Sequence, residues 1–88
     1  MTPQEAAEWM FAELQRVRWL DQETVAWQFL KLDKTLVHTN ANGNPAIEKK
    51  VLDAFKKLTP TADYVWSRGS RHWRKREHYD TPGKRMQD

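Results

Sequence analysis

Cysteine is absent from the 88 residues. That excludes a disulfide framework, a thiol nucleophile and a thiolate metal site. No apolar run approaches the roughly 20 residues of a membrane-spanning helix. The N-terminal stretch Met1 to Met10 is acidic and polar, where a secretory leader would be basic and then apolar. The expectation is a cytoplasmic protein with no membrane partner. Glycine occurs three times, each in turn-like surroundings, so there is no glycine-rich phosphate loop. His38, His72 and His78 show no metal-ligand spacing, and neither a metal nor a cofactor is expected. His72, Glu77 and His78 beside several arginines carry the acid and base of a metal-independent nuclease. That pattern is too unspecific to outweigh the absence of other catalytic motifs. No catalytic residue is assigned, and the chain is read as a non-enzyme without an evident small-molecule substrate.

Length allows one domain. A chain of this size buries only about 60–65% of the surface its unfolded form exposes, so aromatic side chains must fill much of one modest core. The net charge of +3 hides an asymmetry: residues 1–33 carry −3, residues 34–60 carry +3 and residues 61–88 carry +3. Such a chain can present a positive face to a polyanion.

Thr2-Pro3-Gln4-Glu5 is a helix start, with a capping residue, proline in the first turn and a capping-box glutamate. Ala6, Met10, Leu14 and Val17 continue it at helical spacing, and Arg18-Trp19-Leu20 reads as a short extended link. Asp21 caps a second helix with Val25, Phe29 and Leu32 on one face. Thr35 to Thr39 is β-prone, and Asn40-Ala41-Asn42-Gly43 is turn chemistry. Asn44-Pro45 then opens a third helix with the stripe Ile47, Val51, Ala54, Phe55 and Leu58, ending at Thr59-Pro60. Beyond it, Arg68-Gly69 forms a two-residue hairpin turn that sets Trp66 opposite Arg71 and Tyr64 opposite Trp73. The expected fold class is therefore α+β: a small winged helix-turn-helix-like domain of three helices and a C-terminal β-hairpin over residues 1–79. Residues 80–88 form a flexible basic tail.

The segments NANGNPAIEKKVLDAFKKLT (Asn40 to Thr59) and VWSRGSRHWRKREHYDTPGKRMQD (Val65 to Asp88), with TPQEAAEWM at the start, resemble a family of short uncharacterised bacterial proteins. That family is associated with mobile elements such as integron gene cassettes. The resemblance implies a bacterial, single-domain protein and transfers no activity.

Two surfaces follow from the residues. Val65 to Glu77 holds five Lys or Arg in thirteen residues. A wing carrying Arg68, Arg71, Arg74, Lys75 and Arg76 suits bidentate phosphate contact. Lys49, Lys50, Lys56 and Lys57 share the polar face of the third helix, interrupted by Asp53. Backbone contacts of this kind give affinity and salt dependence without sequence choice, and the expected ligand is nucleic acid, in the first place duplex DNA. The competing readings are a solvated helix face for the lysines and edge protection for the arginines. Trp73 and Tyr64 are expected to pack inward, with Trp66 left open between packing and base stacking. Trp9 and Trp27 fall away from the apolar faces of their helices. That points to the alternative function, a homodimeric or adaptor module that binds protein through these tryptophans and the acidic first third.

Overall fold

The first helix, α1 (Pro3–Val17), starts as its sequence dictates. Thr2 accepts from the Glu5 amide at 3.1 Å, while the Glu5 carboxylate accepts from the Thr2 amide at 2.8 Å. Arg18 ends it with φ 70°, and the chain enters β1 (Trp19–Asp21). Asp21 then caps α2 (Gln22–Leu32), accepting from the Glu23 and Thr24 amides. A single 3-10 turn (Lys34–Leu36), β2 (Val37–Thr39), β3 (Pro45–Ile47), α3 (Lys49–Leu58), β4 (Tyr64–Ser67), β5 (His72–Lys75) and β6 (Met86–Gln87) follow. The computed structural model describes residues 1–87. The domain is α+β, with three helices and a C-terminal hairpin. Among the described residues no helix is long and apolar enough to cross a membrane.

The main sheet has the order β1-β5-β4-β6. Its first three strands are antiparallel, and β6 joins β4 in parallel. Pairing of the strand between the first two helices with the second hairpin strand is the winged-helix-like feature. Strand alternation puts Leu20, Trp66 and Trp73 on the face toward the helices. There they close a core of Met10, Leu14, Val25, Phe29, Val51 and Phe55. Phe55 meets Trp73 edge-on at 5.0 Å, and Trp73 meets Trp66 at 4.8 Å. Burying each such aromatic removes roughly 150–250 Å² from water, which is how an 88-residue chain obtains its core.

Four sequence expectations require correction. Asn44-Pro45 does not open α3. The Asn40 side chain instead accepts from the Asn42 and Asn44 amides, and the Asn40 amide donates to the Asn44 carbonyl. That closes a hairpin in which Thr39 faces Pro45 and Val37 faces Ile47. Proline is tolerated because it begins an edge strand. α3 therefore starts four residues later and lacks a side-chain cap.

The wing loop also differs. Trp66 faces Trp73 and Tyr64 faces Lys75, so the loop spans Arg68 to Arg71. A shift of two residues keeps every side chain on its expected face and gains an aromatic cross-strand pair. Arg71, not Gly69, takes the left-handed conformation, at φ 55°. Its carbonyl accepts from the Gln22 amide at 3.2 Å, which ties the loop to the start of α2. In α2 itself, Leu32 is 57% exposed. The helix ends there, and Leu36 takes the buried position.

The fourth correction concerns residues 80–87, which are a strap laid on the sheet. Asp80 is buried and receives both terminal nitrogens of Arg74 at 2.8 Å. The Arg76 guanidinium donates to the carbonyls of Thr61, Thr81 and Lys84 at 2.8, 2.9 and 2.5 Å. Arg85 donates to the Thr59 carbonyl and hydroxyl, both at 2.6 Å. Three arginines thus satisfy backbone and carboxylate acceptors, which makes packing more favourable than the fraying expected of a polar tail. Asp88, the last residue of that expected tail, lies outside the described residues.

Candidate nucleic-acid interface

Because α3 begins at Lys49, its first turn carries Lys49 and Lys50 and no acid. Val51 and Phe55 are buried against α1 and the sheet, which turns Lys49, Lys50, Asp53, Lys56 and Lys57 outward. Asp53 is drawn to Lys49 at 3.0 Å. Among the described residues, Lys50, Lys56 and Lys57 make no ion pair.

Between α3 and the sheet lies a groove of about 370 Å³. Phe55, Trp66 and Trp73 form its aromatic lining, Leu52 and Met86 are apolar walls, and Lys56, Asp53, Arg85 and Gln22 supply the polar groups. Gln22 also lines a second, smaller hollow with Arg71, Glu23 and the asparagines Asn40, Asn42 and Asn44 of the β2–β3 turn. The two depressions therefore adjoin. At the far end of the β4–β6 pair, the amide of Arg68 donates to the Gln87 carbonyl at 2.7 Å, and the Arg68 side chain is exposed. A belt thus runs from α3 past the groove to the Asn-rich turn, with the wing tip beside it.

The nine cations singled out from the sequence divide. Lys50, Lys56, Lys57, Arg68 and Arg71 are exposed, with Lys56 lining the groove and Arg71 the smaller hollow, and Lys49 is shared with Asp53. Lys75 is exposed at the base of the hairpin beside Glu77 and His78, away from the wing tip. Arg74 and Arg76 are engaged by the strap. The bonds from Arg74 hold the Asp80 carboxyl well below the usual carboxylate range, at about 2, and Asp80 in turn raises the Arg74 guanidinium. Alternation along β5 could not reveal this, because apart from the Lys75 carbonyl, which accepts from Arg74, the side-chain partners of both arginines come from the loop before β4 or from beyond residue 79.

The sequence reading passed over Gln22, Arg85 and the asparagine turn as possible contacts. Arg85 is half-buried, and burial pushes its guanidinium below its ordinary value. The turn was legible only as a turn. Of the two tryptophans assigned to a partner, Trp9 is half-buried and packs on Phe29 of α2 at 5.3 Å. Trp27 is 45% exposed.

A family model matches residues 2–75. The chain belongs to this family of unknown function, DUF6953. Its matched span contains α3, the Asn-rich turn and the wing loop, and stops at the end of β5. Asp80, Arg85 and Met86 lie outside it. No curated protein and no solved structure matches the chain.

Proposed function

We propose that this protein binds nucleic acid through the phosphate backbone, with little sequence preference. It belongs to the short bacterial proteins carried by mobile elements, acts in the cytoplasm and is not an enzyme. The contacts come from Lys50, Lys56 and Lys57 on α3 and from Arg68 and Arg71 on the wing loop. The observation that carries this reading is the belt itself, in which Lys56, an α3 lysine without a carboxylate partner among the described residues, and the loop arginine Arg71 each line one of two adjoining depressions. Guanidinium and ammonium groups of this kind meet phosphate oxygens from either side of a groove. The asparagine and glutamine amides there can donate to phosphate or sugar, whereas base-edge readout would need a set of such groups on the helix itself.

Salt titration tests this. Fluorescence anisotropy with a labelled 20-nucleotide strand and its duplex is expected to give micromolar binding at about 50 mM salt. Four to five phosphate contacts should give a slope of log K against log salt near −4 for the duplex and about −3 for the strand. Absence of binding to both forms at low salt would overturn the reading.

One observation favours a second reading, a protein-interaction surface on α2: Trp27 and Leu32 are both exposed large apolar groups there. If α2 forms a homodimer, light scattering will give twice the chain mass at micromolar concentration, and Trp27→Ala will return the monomer. A monomeric parent protein removes the homodimer.

A further inference from the structure

We propose that the groove between α3 and the sheet receives an unpaired base, so that the preferred ligand is a single-stranded segment rather than the duplex. This rests on the phosphate-binding reading and names the substrate class of the same site. The aromatic lining is the first ground. Trp66 is half-buried, in contact with Trp73 at 4.8 Å, and it lines the groove together with Phe55 and Met86. A fully packed hairpin would have closed Trp66 off. Here the chain leaves an indole beside open space, with Met86, its register partner on β6, 54% exposed next to it and Leu52 of α3 also lining the groove. A base has a flat apolar face and needs both a stacking partner and a wall to exclude water. The groove volume of about 370 Å³ falls at the low end of the range of ligand pockets, roughly 300–1,000 Å³.

The second ground is charge. Arg85 lines the groove, is half-buried and, among the described residues, has only the neutral carbonyl and hydroxyl of Thr59 as side-chain partners. Among the described residues it makes no ion pair. A desolvated guanidinium without a counter-ion attracts an anion strongly. Lys56 stands on the same groove, while its one acid, Asp53, is neutralised by Lys49 at 3.0 Å. A positive rim around an aromatic slot fits a nucleotide unit, with the base against Trp66 and the adjoining phosphate between Arg85 and Lys56. Duplex DNA keeps its bases stacked and cannot fill the slot without paying to evert one.

The test compares three fluorescein-labelled ligands of equal length at about 50 mM salt: a thymidine strand, an abasic strand with the same phosphates, and a duplex. Base stacking on an aromatic side chain predicts that the thymidine strand binds about tenfold tighter than the abasic one. Trp66→Leu should abolish that difference and leave abasic binding unchanged. Met86→Ser, at a half-exposed site where the fold is not at stake, should reduce the difference severalfold. Equal affinity of the thymidine and abasic strands for the parent protein would overturn the base slot while leaving phosphate binding intact. Failure of all three ligands to bind would overturn both readings. Free thymidine monophosphate is the remaining arm. Affinity matching that of the strand would mean a nucleotide pocket and overturn the strand as ligand.

Discussion

Asp80→Ala is expected to destabilise the domain by about 3 kcal/mol, because it leaves the Arg74 guanidinium partly buried without its carboxylate. In a domain of this size that lowers Tm by about 15 °C. The Asp80 side chain accepts both Arg74 bonds at 2.8 Å and the Glu77 amide at 2.7 Å. Arg74 has 14% of its side-chain surface in contact with solvent, so water cannot replace what is lost. Thermal unfolding followed by circular dichroism measures the effect. Replacing both partners together, Arg74→Leu with Asp80→Leu, should recover a large part of the loss, since apolar groups carry no desolvation penalty. If Asp80→Ala melts within about 2 °C of the parent, the strap contributes little to stability and its arginines are exchangeable with solvent.

The same pair sets an acid limit. The Arg74 bonds hold the folded-state carboxyl of Asp80 at about 2, below its ordinary 3.8. A depressed folded value means that the stabilisation is complete above the ordinary pKa and is lost as pH falls through the folded one. Stability should therefore decline between about pH 5 and pH 2. Asp33 is also held at about 2, chiefly by the Thr35 hydroxyl and amide, and contributes to the same window. The Asp80→Ala variant should show a shallower decline over that range, with the Asp33 part remaining.

The elements that could be read from local sequence were those with a local cause. Thr2 and Asp21 satisfy amides two to three residues ahead, so the starts of α1 and α2 were visible in a few residues. Asn44-Pro45 misled because cap-then-proline and turn-then-edge-strand use the same residues. The choice between them is made by Val37–Thr39, which offers a partner strand. The wing was legible in its faces but not in its register, since a two-residue slip preserves alternation. Least legible were the uses of the cations. Arg68, Arg71, Arg74 and Arg76 look alike in one dimension. Only the path of residues 76–87 separates the pair that binds the strap from the pair left at the loop. Burial of Trp9 likewise depends on its contact with Phe29 of α2, a matter of packing that no helical wheel contains.

That division of the arginines yields the last expected result. Arg68→Ala with Arg71→Ala should weaken binding to any strand by about tenfold to a hundredfold at low salt. The salt slope should flatten by about two for a duplex, one for each lost phosphate contact. Tm should stay within about 3 °C, since both side chains are exposed and surface changes are usually small. Replacing Arg71, at φ 55°, by alanine leaves the backbone strain as it was, and the Gln22 amide still bonds the loop carbonyl. Arg76→Ala should do the reverse. It removes donors to three carbonyls and costs about 2 kcal/mol, or about 10 °C in Tm. The salt slope of the folded protein should not change. Anisotropy titrations at several salt concentrations, run beside melting curves, measure both quantities on the same samples. If Arg76→Ala flattened the slope as much as the loop pair does, the strap would have to leave the sheet when nucleic acid binds, and Arg74 and Arg76 would join the phosphate contacts. If the loop pair left the slope unchanged while the parent protein still bound, the contacts would belong to α3 alone, and the wing arginines would serve only to keep an exposed hairpin from pairing with another sheet.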